Sequence, residues 1–64
     1  MKTKNIRVIN NKDYLYKFIQ WNKNNIEKYE IRPHYQHGMK AYRLIYIKID
    51  ETKEDIDVSY RKGV

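Results

Sequence analysis

The 64-residue sequence contains no cysteine, one proline and two glycines. Without cysteine, the chain forms neither a disulfide framework nor the thiolate metal sites that stabilise many small proteins. No apolar run approaches the roughly 20 residues that a membrane helix needs, and the N-terminus lacks the apolar stretch of a signal peptide. These absences predict one small cytoplasmic domain over 1–64, with no cofactor and no contact with a membrane.

Charge is unevenly distributed along the chain. Residues 1–49 hold eleven Lys or Arg against three acids, whereas residues 50–57 hold five acids and one lysine. The net charge of +6 speeds encounter with an anionic partner, either nucleic acid or an acidic protein surface, without choosing between them. The acidic run is interpreted as solvent-exposed, which is the usual position of such runs. An A+T-rich genome also favours Lys, Asn, Ile and Tyr codons, so part of the lysine excess needs no binding explanation.

Two extended segments with a glycine between them predict a β-hairpin over residues 29–50. Apolar and aromatic residues alternate with polar ones on both sides of Gly38, whose position suits a reversal with positive φ. A tight turn at His37 and Gly38 pairs Tyr35 with Lys40 and Ile31 with Leu44, which gathers one aromatic and aliphatic face. A register shifted by one residue would turn Arg43 inward and is disfavoured.

The second arm of this hairpin has large apolar side chains on both faces, which predicts a central strand with a cover on each side. Leu44 and Tyr46 lie on one face. Ile45, Ile47 and Ile49 lie on the other face.

The remaining elements follow from periodicity. Residues 4–9 alternate as a short strand, and Asn10 is a candidate N-cap with Asp13 in the first turn of a helix. Its apolar arc includes Phe18 and Trp21. The helix ends at the run Asn22-Lys23-Asn24-Asn25, since asparagine accepts the left-handed conformation of a C-cap and lysine suits the negative end of the helix dipole. Ile56, Val58 and Tyr60 alternate as a last strand.

The predicted fold is α+β, with one helix packed on a three- to four-stranded, mainly antiparallel sheet in the order β-α-β-β-β. One helix covers one face only, and a chain this short buries only about 60% of the surface that its unfolded form exposes. The uncovered isoleucines 45, 47 and 49 therefore predict self-association, as a dimer, or contact with a partner protein.

No group of residues has the spacing of a metal or catalytic site. His34 and His37 lack further ligands at a metal-binding spacing, and Ser59, the only serine, has no activating histidine in an evident pattern. One enzymatic hypothesis remains, a small metal-independent ribonuclease. It would gather Arg32, His34, Tyr35, Arg43 and Tyr46 on one hairpin.

Seven tyrosines are informative, because a tyrosine suits a surface that is half buried or binds a partner. Tyr14, Tyr29 and Tyr46 are expected to pack under the helix, whereas Tyr16, Tyr35, Tyr42 and Tyr60 are candidates for exposure. A nucleic-acid surface would have Tyr29, Tyr42 and Tyr46 stacking on bases and Arg32, Arg43, Lys40 and Lys48 contacting phosphate. The same groups would also anchor a protein interface. The predicted binding residues are Arg32, His34, Tyr35, Lys40, Tyr42, Arg43 and Lys48.

The leading functional hypothesis is a non-catalytic interaction module, possessing no metal and no cofactor, that occupies a surface of a larger macromolecule. Small, basic chains of A+T-rich composition are common among phage and mobile-element products, so its concrete form is an inhibitor of a host enzyme or defence complex. The second hypothesis is a sequence-tolerant RNA- or DNA-binding protein that uses the hairpin. The third is the small ribonuclease.

Overall fold

The computed structural model describes residues 2–57. Strand β1 covers Thr3–Ile9, helix α1 covers Lys12–Trp21, a 3₁₀ turn covers Lys23–Asn25, strand β2 covers Ile26–Gln36 and strand β3 covers Met39–Lys48. The predicted α+β class, with one helix and an antiparallel sheet, is confirmed. No helix among these residues is long and apolar enough to cross a membrane.

The three strands form one sheet in the order β1-β3-β2, and both outer strands run antiparallel to β3. The last of these strands in the chain is therefore the middle one in space, as its two apolar faces predict. Helix α1 connects the two outer strands and packs on one face of the sheet. The predicted fourth strand is not part of the sheet at residues 54–57, and Val58 and Tyr60 lie outside the described residues.

The hairpin has the predicted register. Tyr35 pairs with Lys40, Ile31 with Leu44 and Tyr29 with Tyr46. His37 and Gly38 both have positive φ, 54° and 74° respectively, as the two central residues of a type I′ turn require. A turn of this type matches the right-handed twist of the flanking strands and fixes which side chains face the helix.

The helix begins one residue later than predicted. Asn11, not Asn10, is the N-cap, and its Oδ1 accepts a hydrogen bond from the Tyr14 amide at 3.0 Å. Asp13 lies in the first turn of the helix, where a carboxylate complements the positive end of the helix dipole. The prediction failed because adjacent asparagines have the same capping chemistry, and the sequence offers no local reason to choose between them.

Asn22 ends the helix, but not in the left-handed conformation that was predicted. Its φ is −106°, and its side chain is buried, 5% exposed. The Asn22 Nδ2 atom donates to the Phe18 carbonyl and to the Ile56 carbonyl, both at 2.8 Å, while Oδ1 accepts from the Ile56 amide at 2.7 Å. The asparagine thus ends the helix by hydrogen bonds of its side chain rather than by a backbone reversal.

The core lies between α1 and the helix-facing side of the sheet. The edge of the Phe18 ring meets Tyr46, with centroids 5.8 Å apart, and the Arg7 guanidinium lies 4.6 Å from the centre of the Phe18 ring. Full burial of a side chain such as Phe18 or Leu44 contributes about 1.5–3 kcal/mol. The buried cluster consists of Ile9, Leu15, Phe18, Leu44 and Tyr46.

Two aromatic residues are more exposed to solvent than predicted. Tyr29 is 50% exposed and Trp21 is 45% exposed, because the ten-residue helix is too short to cover the full width and length of the hairpin. Tyr14 and Tyr46, in contrast, pack in or against the core as predicted.

The acidic segment 50–57 is only partly the solvent-exposed run that its composition predicts, since Glu51 and Glu54 are exposed whereas Asp55 and Asp57 are half-buried. Asp55 accepts a hydrogen bond from the Tyr46 hydroxyl and pairs with the Lys48 ammonium at 3.3 Å. Asp57 pairs with Arg7 at 3.2 Å and accepts a hydrogen bond from the Tyr14 hydroxyl. The segment therefore folds back over the helix-facing side of the sheet, where it neutralises two of the basic residues of the chain.

Candidate interaction surface

The side of the sheet opposite the helix is termed the open face. Because neighbours paired across antiparallel strands project to the same side, the register defines its members. Ile45 of β3 lies between Ile6 of β1 and Glu30 of β2, and Ile47 lies between Lys4 and Lys28. One step further along, Arg43 lies between Val8 and Arg32.

Four apolar residues form the centre of the open face, and together they are termed the apolar patch. Ile6 is 61% exposed and Val8 is 40% exposed, while Ile45 and Ile47 are half-buried between their neighbours. Beyond the end of β3, Ile49 is 45% exposed. No part of the chain within residues 2–57 covers this patch, and exposed apolar patches are typical of interaction sites.

The sequence predicted only part of the patch. Ile45, Ile47 and Ile49 were identified from the apolar character of β3, whereas Ile6 and Val8 were not assigned to a surface. The sequence does not show which strand lies beside β3, and this assignment is needed to place Ile6 and Val8. Once β1 is placed antiparallel beside β3 with Ile6 opposite Ile45, the alternation of β1 adds both side chains to the same face.

Charged residues lie along the β2 side of the open face. Lys28, Glu30 and Arg32 are all exposed, and the Arg32 guanidinium pairs with the Glu30 carboxylate at 2.7 Å. An exposed ion pair of this kind contributes little to stability, about 0–1 kcal/mol. The open face thus combines an apolar half on β1 and β3 with a charged half on β2.

Three of the predicted binding residues, Arg32, His34 and Arg43, meet where β2 borders β3 on the open face and are termed the basic cluster. Arg43 lies directly opposite Arg32 in the register, and its Nη2 atom lies 3.1 Å from Nδ1 of His34. Because a guanidinium only donates, His34 Nδ1 must be unprotonated to accept this hydrogen bond. Like charges directly opposite on neighbouring strands repel each other.

The other predicted binding residues lie on the helix-facing side of the sheet. Tyr35 is 72% exposed near the hairpin tip, next to its cross-strand partner Lys40. Tyr42 is half-buried and packs against the core. Lys48 is only 8% exposed and donates to the Lys53 carbonyl besides pairing with Asp55, so its ammonium is satisfied within the fold.

The tyrosines and the arginines of the nucleic-acid hypothesis lie on opposite faces of the sheet. Tyr29, Tyr42 and Tyr46 face the helix side together with Lys40 and the buried Lys48, whereas Arg32 and Arg43 project from the open face. Tyr46 is also buried, and this burial, followed by its hydrogen bond to Asp55, raises the pKa of its hydroxyl well above the usual range. The three tyrosines and the two arginines cannot contact one nucleic-acid strand on one surface.

The residues proposed for a ribonuclease are divided in the same way. Arg32, His34 and Arg43 share the open face, while Tyr35 and Tyr46 lie on the other side of the sheet. Acid and base groups must reach the same reacting atoms, and this set does not meet that requirement. Within residues 2–57, no group of three or more His, Asp or Glu side chains has the arrangement of a metal site.

Comparison of the chain with protein-family models, with curated proteins and with solved structures finds no match. Similarity therefore assigns neither a family nor an activity.

Proposed function

We propose that this protein is a non-catalytic interaction module that self-associates through its open face. The observation that supports the proposal is the central position of β3. Its Leu44 and Tyr46 are buried by the helix at 0% and 3% exposure, while Ile45 and Ile47 on its other side have no cover within residues 2–57. A second copy of this chain supplies an apolar surface of the same size and shape.

The register defines how two copies fit. We place a two-fold axis between the sheets, perpendicular to the strands and midway between Ile45 and Ile47. This axis sets Ile47 of one copy over Ile45 of the other. Because Lys28 neighbours Ile47 and Glu30 neighbours Ile45, the same axis sets Lys28 over Glu30 of the second copy. Apolar contact in the centre and opposite charges at the β2 edge therefore occur together. At the β1 edge the same axis sets Lys4 of one copy over Ile6 of the other, where the apolar stem of the lysine covers the isoleucine.

The size of the open face sets the expected affinity. Strands about 4.8 Å apart give a three-stranded face a width of about 14 Å, and packed sheets lie about 10 Å apart. A face of this width buries less surface area than the roughly 800 Å² per partner that is buried in standard interfaces. We therefore expect a dimer that forms at micromolar concentration and not an obligate one.

Sedimentation of the full chain over a range of micromolar concentrations tests this proposal. Ile47→Lys is expected to shift the population to monomer, because it places a charge in the centre of the interface. Tyr16→Lys is the matched control, since Tyr16 is 53% exposed on the outer side of the helix. Circular dichroism checks that each variant is folded.

A second test exchanges two exposed charges, so its outcome does not depend on how a substitution affects folding. Lys28→Glu or Glu30→Lys alone places like charges opposite each other and weakens association, whereas the double variant restores both pairs and the dimer. A wild-type chain that remains monomeric at these concentrations would disprove the proposal. A dimer that tolerates Ile47→Lys, or that the double variant does not restore, would disprove the proposed arrangement.

A further inference from the structure

We propose that the basic cluster of Arg32, His34 and Arg43 binds a carboxylate on an acidic segment of a protein partner. Two guanidinium groups on directly opposite residues of neighbouring strands repel each other, and an anion between them removes this repulsion. A carboxylate has two acceptor oxygens, which match the planar, forked donors of arginine. The cluster is therefore a site for an oxyanion on the exposed side of the sheet.

The surroundings of the cluster position its donors. The hydrogen bond between Arg43 Nη2 and His34 Nδ1, at 3.1 Å, holds one side of the Arg43 guanidinium and leaves other N–H groups to bind a ligand. Both residues are half-buried, so less side-chain entropy is lost on binding than for a fully exposed lysine. His34 thus acts as a positioning residue for Arg43.

The partner is inferred to be protein and not nucleic acid, from the chemistry next to the cluster. Within the three strands, no Tyr, Phe or Trp projects from the open face, so no ring is available for bases to stack on. The neighbours of Arg43 and Arg32 along this face are Val8, Ile45 and Glu30. Apolar neighbours suit leucine-like side chains of a peptide, and the carboxylate of Glu30 repels a continuous phosphate backbone.

The cluster lies on the same face of the sheet as the proposed dimer interface. The axis that sets Ile47 over Ile45 also sets Arg43 over the position of Ile49 of the second copy, and Val8 and Ile45, the apolar neighbours of Arg43, lie within that interface. The carboxylate site therefore belongs to the monomer, and we expect the peptide and the second copy to compete for the open face. Because Arg32 pairs with Glu30 at 2.7 Å, the ligand carboxylate takes the place of Glu30 beside Arg32.

A titration with synthetic peptides tests the site in the full-length protein. The probe is a peptide in which two adjacent glutamates are flanked by leucines, and its control has glutamines in place of the glutamates. Chemical-shift changes of the backbone amides of β2 and β3 are the measurement. We expect the glutamate peptide to perturb residues around Arg43 and the glutamine peptide to have no effect. The affinity is expected to fall as salt concentration rises.

Variants identify the groups that bind. Arg43→Gln is expected to weaken binding of the glutamate peptide by at least about tenfold, which is the loss of one charge-assisted hydrogen bond. Lys17→Gln, on the exposed side of the helix, is the control and is expected to change affinity less than twofold. His34→Gln weakens binding less than Arg43→Gln, since its side chain can still accept from Arg43.

Three results would overturn the inference. They are the absence of binding of the glutamate peptide, binding that Arg43→Gln does not affect, and tighter binding of a single-stranded oligonucleotide that the same substitution abolishes. Sedimentation of the same samples separates this outcome from that of the dimer. A wild-type chain that stays monomeric and binds the peptide through Arg43 disproves self-association alone. A wild-type chain that dimerises, but whose monomeric Ile47→Lys variant does not bind the peptide, disproves the carboxylate site alone.

Discussion

The side chain of Asn22 forms two hydrogen bonds with the backbone of Ile56, 34 residues further along the chain. Its Nδ2 atom donates to the Ile56 carbonyl and its Oδ1 atom accepts from the Ile56 amide. One amide side chain therefore satisfies both backbone groups of a residue that belongs to no strand. This contact attaches the acidic segment to the end of the helix.

Replacing Asn22 measures how much this contact contributes to the free energy of unfolding. Asn22→Ala removes three hydrogen bonds at a site that is 5% exposed, and the backbone of Ile56 loses its partners. We expect the free energy of unfolding to fall by about 2–3 kcal/mol, measured by urea denaturation. Asn24→Ala, at an exposed position of the 3₁₀ turn, is the control and should change it by less than about 0.5 kcal/mol. Equal effects of the two substitutions would contradict this interpretation.

The turn of the hairpin allows a pair of substitutions with opposite effects. Gly38 has φ of +74°, and a Cβ atom there would meet nothing within 4 Å, so Gly38→Ala introduces backbone strain without a steric clash. We expect a loss of about 1–2 kcal/mol. His37→Asn is expected to add about 0.5 kcal/mol or more, since Asn-Gly is favoured in this turn type. Thermal denaturation measures both changes, and an unchanged Gly38→Ala variant would contradict the assigned conformation.

Tyr46 predicts loss of stability in alkaline solution. Because burial raises the pKa of Tyr46 in the folded state, the unfolded chain releases this proton at a lower pH than the folded chain. The contribution of Tyr46 to stability is complete below about pH 10 and falls as the pH rises toward the folded-state pKa.

Denaturation at neutral pH and above about pH 10 measures this effect. Tyr46→Phe should cost about 1 kcal/mol near neutral pH, for the lost hydrogen bond to Asp55, and should make the alkaline loss of stability less steep than in the wild type. Tyr16→Phe, at an exposed position, should keep the wild-type slope. A Tyr46→Phe variant with the wild-type slope would show that other groups cause the alkaline loss.

The ion pair of Lys48 and Asp55 is shielded from water, with side chains 10% and 23% exposed. Asp55→Ala leaves a shielded ammonium without its carboxylate and should cost about 3 kcal/mol. Lys48→Met removes the hydrogen bond to the Lys53 carbonyl and should cost about 1–2 kcal/mol. This is less than for Asp55→Ala, because the Asp55 carboxylate is 23% exposed and keeps its hydrogen bond from Tyr46. A double-mutant cycle by urea denaturation measures the coupling. Additive effects would show that the two charges do not interact.

The strand pairing could be predicted from sequence because the alternation of apolar and polar residues and the position of the turn favour the same register. Once Gly38 fixes the reversal, a register that buries Leu44 beside Ile31 is preferred, since a shift by one residue would bury Arg43. The central position of β3 followed from the apolar character of both its faces. These are local patterns, and the fold confirms them.

Long-range contacts account for what the sequence did not reveal. Asp55 and Asp57 have no local pattern that distinguishes them from the exposed acids of 50–57, and only the fold brings them to Lys48 and Arg7. Likewise, the face of the sheet on which Ile6 lies depends on which strand pairs with β1. The predicted register already places Tyr42 and Tyr46 on one face and Arg43 on the other, so a nucleic-acid surface that joins the tyrosines with the arginines conflicts with it.

The order of the strands has a consequence for how the protein is made. In the native sheet each outer strand bonds only to β3, which is the last of the three in the chain. Neither β1 nor β2 therefore has its native strand partner until residues 39–48 have been synthesised. We expect both outer strands to expose unpaired backbone N–H and C=O groups until that point, as strands at the edge of a sheet do.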